Sequence, residues 1–148
     1  MIPVKYVMFE GANTARIVEG IEMCEPEDNQ VIIRAVKSLI SPGTELAYFE
    51  GKHTDLQVGE IAFPMLAPGY SAVGIIEKMR NGESKFKEGD KVLAMMGDAN
   101  KGMPSVNKLT AIPEELDFEQ ASCGVLGSIA LHCMRKASIH RGECFTRT

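Results

Sequence analysis

Tryptophan is absent from this sequence, and aromatic residues of any kind make up only 6% of it. Surfaces that stack nucleobases depend on such rings. The net charge of -4 also supplies no basic footprint for nucleic acid or for an anionic membrane. No apolar run is long enough to cross a bilayer: the longest, around residues 123–134, is interrupted by His132. The first residues, Met1-Ile2-Pro3-Val4-Lys5-Tyr6, lack both the apolar centre and the small-residue cleavage pattern of a secretory signal. A cytoplasmic location is the expectation.

The cysteines are also sparse. Cys24, Cys123, Cys133 and Cys144 form no CxxC pair and no even framework, so reduced, partly buried thiols are expected. His132, Cys133, His140 and Cys144 lie at spacings that zinc sites use. Against that, Cys133 falls on the apolar face of an expected helix and the other three straddle its end, so a core role outweighs a metal role.

What is present is the balance of an ordinary globular domain. The chain has 148 residues, 45% of them hydrophobic and 24% charged, enough for one domain with a real core. Up to about residue 112 it reads as strands and turns. Residues 4–9 form a short apolar segment. Residues 14–23 alternate loosely through Ala15, Ile17 and Ile21, as a half-buried strand does. Residues 30–40, rich in Val and Ile, are the strongest strand signal, and Ser41-Pro42-Gly43 breaks it. Residues 44–49 suit one helical turn, and residues 52–68 are irregular. A strand is expected over 69–79, with Gly69 and Gly74 marking a bend or a close approach of backbones. A turn follows at 80–84, a short strand at 90–95, a loop at 97–102 and an extended segment at 106–112.

After Pro113 the apolar period changes to that of a helix over residues 118–136. Asp117 with Gln120 three residues on makes an N-cap and capping box. Gly124 and Gly127 either permit close packing or split the helix in two. Many short strands followed by a helix predict a mostly β fold, barrel-like, with a C-terminal helix.

Three motifs in order carry more information than any one of them. Val31-Ile32-Ile33-Arg34 leads to Ser38-Leu39-Ile40-Ser41. Gly69-Tyr70-Ser71-Ala72-Val73-Gly74 follows, then Phe86-Lys87-Glu88-Gly89-Asp90-Lys91-Val92. In this order and spacing the chain resembles the N-terminal, GroES-like catalytic domain of the medium-chain dehydrogenase/reductase superfamily, the zinc alcohol dehydrogenases. The resemblance implies a GroES-like, partly open β-barrel over residues 1–116. It implies that residues 117–148 are the linking helix and the start of a nucleotide-binding domain.

The departures from the family pattern are chemical. Ser41 stands where the first zinc ligand, a cysteine, is expected. Tyr70 replaces a histidine ligand, Ser71 the carboxylate beside it, and Leu126 falls near the third ligand position. Neutral hydroxyls and a leucine are poor company for zinc, and the cysteine-rich lobe of many relatives is missing between Met96 and Pro113. A zinc-free protein is expected. Ser41-Pro42-Gly43-Thr44-Glu45 is similar to a Ser-x-Gly-Thr-Glu variant of zinc-poor members. The resemblance makes Ser41, Thr44 and Tyr70 candidate catalytic hydroxyls, able to bind a substrate carbonyl or relay a proton during hydride transfer. For Ser41 and Thr44 an ordinary turn role is the stronger reading; for Tyr70 strand packing and catalysis balance. His53, in the irregular loop, could touch substrate, but a solvated loop histidine is the stronger reading.

The glycine fingerprint that holds a nicotinamide cofactor is not found before the sequence stops at Arg147-Thr148. The expectation is therefore a substrate-side domain, truncated at the domain boundary. It would belong to a zinc-independent NAD(P)-dependent oxidoreductase, bind no NAD(P) by itself and be inactive alone. A non-catalytic small-ligand or protein-interaction module on the same barrel is the alternative, and a co-chaperonin reading rests on barrel type alone. The expected partner is a small-molecule substrate, once the missing domain is supplied. Self-association through the apolar side of the C-terminal helix is also expected.

Overall fold

The computed structural model describes residues 1–80, 85–138 and 142. Residues 81–84 of the turn expected at 80–84 lie outside the described residues, as do His140, Cys144 and nearly all of 139–148.

The chain begins with a long antiparallel hairpin. β1 (Ile2–Gly11) pairs with β2 (Thr14–Met23) across the two-residue turn Ala12-Asn13. Asn13 takes φ 58°, a left-handed conformation that asparagine tolerates better than most residues. β4 (Met65–Leu66) adds to the other side of β1, giving a three-stranded sheet in the order β2-β1-β4. β2 is an edge. Its Ile17 is 66% exposed, and only Val18, Ile21 and Met23 are half-buried. The expectation that Ala15 and Ile17 face the core is thus corrected: both are exposed on this edge strand.

The second sheet runs β7-β3-β5-β6-β8. Its members are β3 (Val31–Ser38), β5 (Ala72–Met79), β6 (Lys91–Ala94), β7 (Lys101–Gly102) and β8 (Leu109–Ala111). Every pairing is antiparallel. Val31, Ile32 and Ile33 are all fully buried, so β3 is covered on both faces where it enters the sheet. Ala72, Ile76, Val92, Ala94 and Leu109 meet Val31 and Ile33 in the larger core cluster. Val73, one residue along from Ala72 and so on the opposite face, packs with Ile112 and Ala121 in a second cluster. Burying each Val, Ile or Leu side chain of these clusters contributes about 1.5–3 kcal/mol. The two sheets stay open rather than closing into a full cylinder.

Gly74 lies at the crossing of β5 and β3. A Cβ there would come within 2.3 Å of the Arg34 carbonyl oxygen, which is the close backbone approach expected of it.

The loop 97–100 stitches the two sheets together. Asp98 O accepts from Val7 N at 3.0 Å, and Asn100 N donates to Lys5 O at 3.0 Å. Asn100 O in turn accepts from Ala35 N on β3 at 2.9 Å. The irregular stretch 52–68 contains one short helix, α2 (Thr54–Gln57), besides β4. A single 3-10 turn, Val106–Lys108, precedes β8.

The C-terminal helix is two helices. α3 (Phe118–Ser122) carries the expected capping box between Asp117 and Gln120. α4 (Gly124–Lys136) follows a break at Cys123. Gly124 sits against Leu93, where a Cβ would lie 2.6 Å from the leucine methyl, so this glycine permits close packing at the break. α4 buries none of its residues. Cys133 is therefore exposed, as are Cys24 and Cys123, which corrects the expectation of partly buried thiols and of a core role for Cys133. No described helix is long and apolar enough to cross a membrane.

Candidate functional site

The site is built on the paired ends of β3 and β5. Ser38 lies opposite Ala72 in the ladder, and one further bond, Leu39 N to Ser71 O at 2.9 Å, carries the pairing past the strand ends. The chain then diverges on both sides, into the Ser41 turn and into Tyr70. Two of the segments that carry candidate residues are thereby brought to one end of one strand pair.

Pro42 and Gly43 keep β3 from continuing, and α1 (Thr44–Phe49) starts at once. Its N-cap, Gly43, has no side chain to cap with. Ser41 takes over that task from two residues upstream. Ser41 O accepts from Glu45 N at 3.1 Å, and Ser41 Oγ lies 3.4 Å from Thr44 N. The turn role for Ser41 is thus what the geometry shows. Thr44 and Tyr70 differ: both are half-buried, and among the described residues neither hydroxyl makes a hydrogen bond. Ser71 is committed elsewhere, since its buried Oγ donates to Ser122 O at 2.9 Å and ties β5 to the end of α3.

Glu45 is the residue that sequence reasoning passed over. It is 3% exposed, and its Oε1 accepts from Ser41 N at 2.7 Å. Burial pushes its carboxyl above the ordinary value; the Ser41 N–H pulls the other way, and the neighbouring Asp98 adds to the rise. Glu45 and Asp98 line a cavity of about 470 Å³ whose other walls include Val7, Phe9, Ile40, Leu46 and Phe49. Phe9 and Phe49 meet edge to face with centroids 5.4 Å apart. Pro42 is also in the wall, but Ser41, Thr44 and Tyr70 are not. A larger hollow of about 610 Å³, between Lys85, Asp90, Lys91 and Glu114, touches none of the candidate residues.

A second polar cluster lies between α1 and α2. Tyr48 donates to Asp55 Oδ2 at 2.6 Å, and that bond holds the phenol well up, at about 12. His53 stacks on Tyr48 with centroids 3.8 Å apart, and its Nδ1 accepts from Asp55 N at 3.3 Å as the cap of α2. The histidine is three-quarters covered. It is a structural cap, which corrects its reading as a solvated loop residue.

The donor set does not fit zinc. Ser41 is engaged in its own turn, and Tyr70 offers a phenol oxygen where zinc sites use thiolate or imidazole. Leu126 sits half-buried in α4 with no donor at all. Among the described residues no group of three His, Cys, Asp or Glu side chains could hold a metal ion.

Residues 27–139 match the family model of the alcohol dehydrogenase GroES-like domain. The chain is 26% identical over 151 residues to a quinone oxidoreductase of Sus scrofa, an alignment covering 97% of the chain and 44% of that relative. Its fold is similar to that of the quinone oxidoreductase from Coxiella burnetii, with a TM-score of 0.80 at 20% identity, over 95% of this chain and 47% of that one. It is also similar to human synaptic vesicle membrane protein VAT-1 homolog-like protein, with a TM-score of 0.79 at 21% identity, over 95% and 46%. The chain spans less than half the length of the relatives it matches.

Proposed function

The chain belongs to the alcohol dehydrogenase GroES-like domain family, and from that premise we propose that it is the substrate-side domain of a zinc-independent, NAD(P)-dependent oxidoreductase. The substrate class that fits is an apolar carbonyl compound such as a quinone. The single observation that carries this reading is the pair of uncommitted hydroxyls, Thr44 and Tyr70, on segments that meet at the end of β3 and β5 next to an apolar cavity. A carbonyl oxygen gaining negative charge needs donors held in place, and a hydroxyl already bonded elsewhere is not available for that task. The names of the quinone oxidoreductase relatives agree with this class of substrate.

Hydride chemistry would come from a nicotinamide held by a nucleotide-binding domain, which is no part of the described fold. This chain binds no NAD(P) by itself and is inactive alone under the proposal. Its own residues shape the cavity, supply the hydroxyls and exclude metal. Joining the chain to the nucleotide-binding domain of a quinone oxidoreductase relative, and following NAD(P)H oxidation by a simple quinone, tests the reading. Turnover by the joined protein and none by the chain alone is the expected result.

The non-catalytic reading draws on a different observation. α4 exposes Ile129, Leu131 and Met134, each about half accessible, and exposed apolar side chains of this kind favour a covering partner. A second copy of the chain, or the nucleotide-binding domain, would cover it. Light scattering on the isolated chain decides: concentration-dependent association is expected, and a monomer at millimolar concentration rules out the second copy.

A further inference from the structure

Glu45 is nearly inaccessible, yet among the described residues no cation lines its cavity, whose wall holds two acids, Glu45 and Asp98. Two carboxylates facing one largely apolar cavity, one of them buried and the other half-buried, repel each other unless a proton is shared.

The position of each carboxyl matters more than the pairing itself. Glu45 Oε1 holds Ser41 N at 2.7 Å and so fixes the turn from which Thr44 starts. Asp98 lies on the other side of the site. Its backbone N donates to Pro68 O at 2.7 Å, and its carboxylate rests on Gly69, where a Cβ would come within 2.8 Å of Oδ2. Gly69 is at φ 99°, a conformation that leaves room for that carboxylate and sets the course of the chain into Tyr70.

We propose that Glu45 and Asp98 form a positioning pair: one proton shared between them ties the Ser41–Thr44 turn to the Gly69–Tyr70 segment and sets the separation of the two free hydroxyls. The inference rests on the proposed site in one respect only, the use made of those hydroxyls. Both carboxyls line the same cavity whether or not the reductase reading holds. The protonated Glu45 donates to Asp98 while still accepting from Ser41 N, and loss of the proton turns an attraction into a repulsion. The upward displacement of the Glu45 carboxyl by burial and by Asp98 agrees with this arrangement.

The test is a pH titration of the backbone amide signals by NMR on the chain as it stands. The Ser41, Thr44 and Tyr70 amides are expected to shift together with one midpoint above 4.5. In Glu45→Gln, whose amide both accepts and donates, the three signals are expected to keep positions near those of the protonated wild type and to lose that midpoint. In Asp98→Asn the midpoint is expected to fall toward the ordinary carboxyl range. A Tyr70 signal that ignores the midpoint seen at Ser41, or a midpoint that survives in Glu45→Gln, overturns the proposal. If Glu45→Gln gives a poorly dispersed spectrum, Asp98→Asn decides by the same criterion. No cofactor or substrate enters the measurement, so a joined protein that fails to reduce quinones leaves the pair standing. Turnover without the shared midpoint would leave the reductase reading standing and remove the pair.

Discussion

The backbone N–H of Ser41 donates to the carboxyl of Glu45 at 2.7 Å, inside a turn where both residues are at least 95% covered. That bond closes the turn that leads into α1 and gives the buried Glu45 carboxyl a partner. A hydrogen bond involving a carboxylate contributes about 1.5–3 kcal/mol, and an orphaned buried donor costs a similar amount. Glu45→Ala is expected to lower unfolding free energy by about 2 kcal/mol, and Glu45→Gln by clearly less. Urea denaturation of the three proteins reads the difference; equal stability in all three contradicts it.

The same residue gives the stability a defined pH dependence. Its carboxyl lies above the ordinary 4.5 in the folded chain, so the folded state holds that proton more tightly than the unfolded state does. Its contribution is fully present below pH 4.5 and is lost as pH rises through the folded value. The stability of the wild type relative to Glu45→Gln should therefore fall as pH increases above that point. A difference that grows with pH would contradict the burial argument.

Two glycines are expected to resist substitution for different reasons. Gly74→Ala drives a Cβ to within 2.3 Å of the Arg34 carbonyl, and opening the β3–β5 pair to admit it costs about 1–3 kcal/mol. Gly69→Ala adds a strained φ of 99° and pushes on Asp98, so it should also shift the Tyr70 signals. Thermal melts rank both below wild type, and only Gly69→Ala disturbs the cavity side.

Ser71→Ala removes the bond from Ser71 Oγ to Ser122 O. The expected loss is about 1 kcal/mol, accompanied by faster amide hydrogen exchange across α3. Unchanged exchange there would mean that the α3 contact is held by Val73, Ile112 and Ala121 alone.

The strands were legible because their period and their β-branched residues follow directly from burial: Val31, Ile32 and Ile33 are as buried as their type suggests. Thr44–Phe49 and the Asp117 capping box were legible from local chemistry. The exposure of α4 was not, because an apolar face in a sequence does not say whether anything covers it. Ile17 misled for the same reason. Ser41, Thr44 and Tyr70 were legible as a set, while Glu45 and Asp98 were not. They line one cavity only because the loop that joins the two sheets brings Asp98 there from far along the chain. The one local hint was a lone acid next to Thr44 in the Ser41-Pro42-Gly43-Thr44-Glu45 run.

The most direct measurement is NAD(P)H-dependent quinone reduction by the chain joined to a quinone oxidoreductase nucleotide-binding domain, after dialysis against a zinc chelator, with the zinc content determined on the same sample. The account expects turnover without zinc, a large loss on removing the Thr44 and Tyr70 hydroxyls together (on the order of a hundredfold), and none from the chain alone. No turnover by a folded joined protein, or turnover that requires about one zinc per chain, would contradict it.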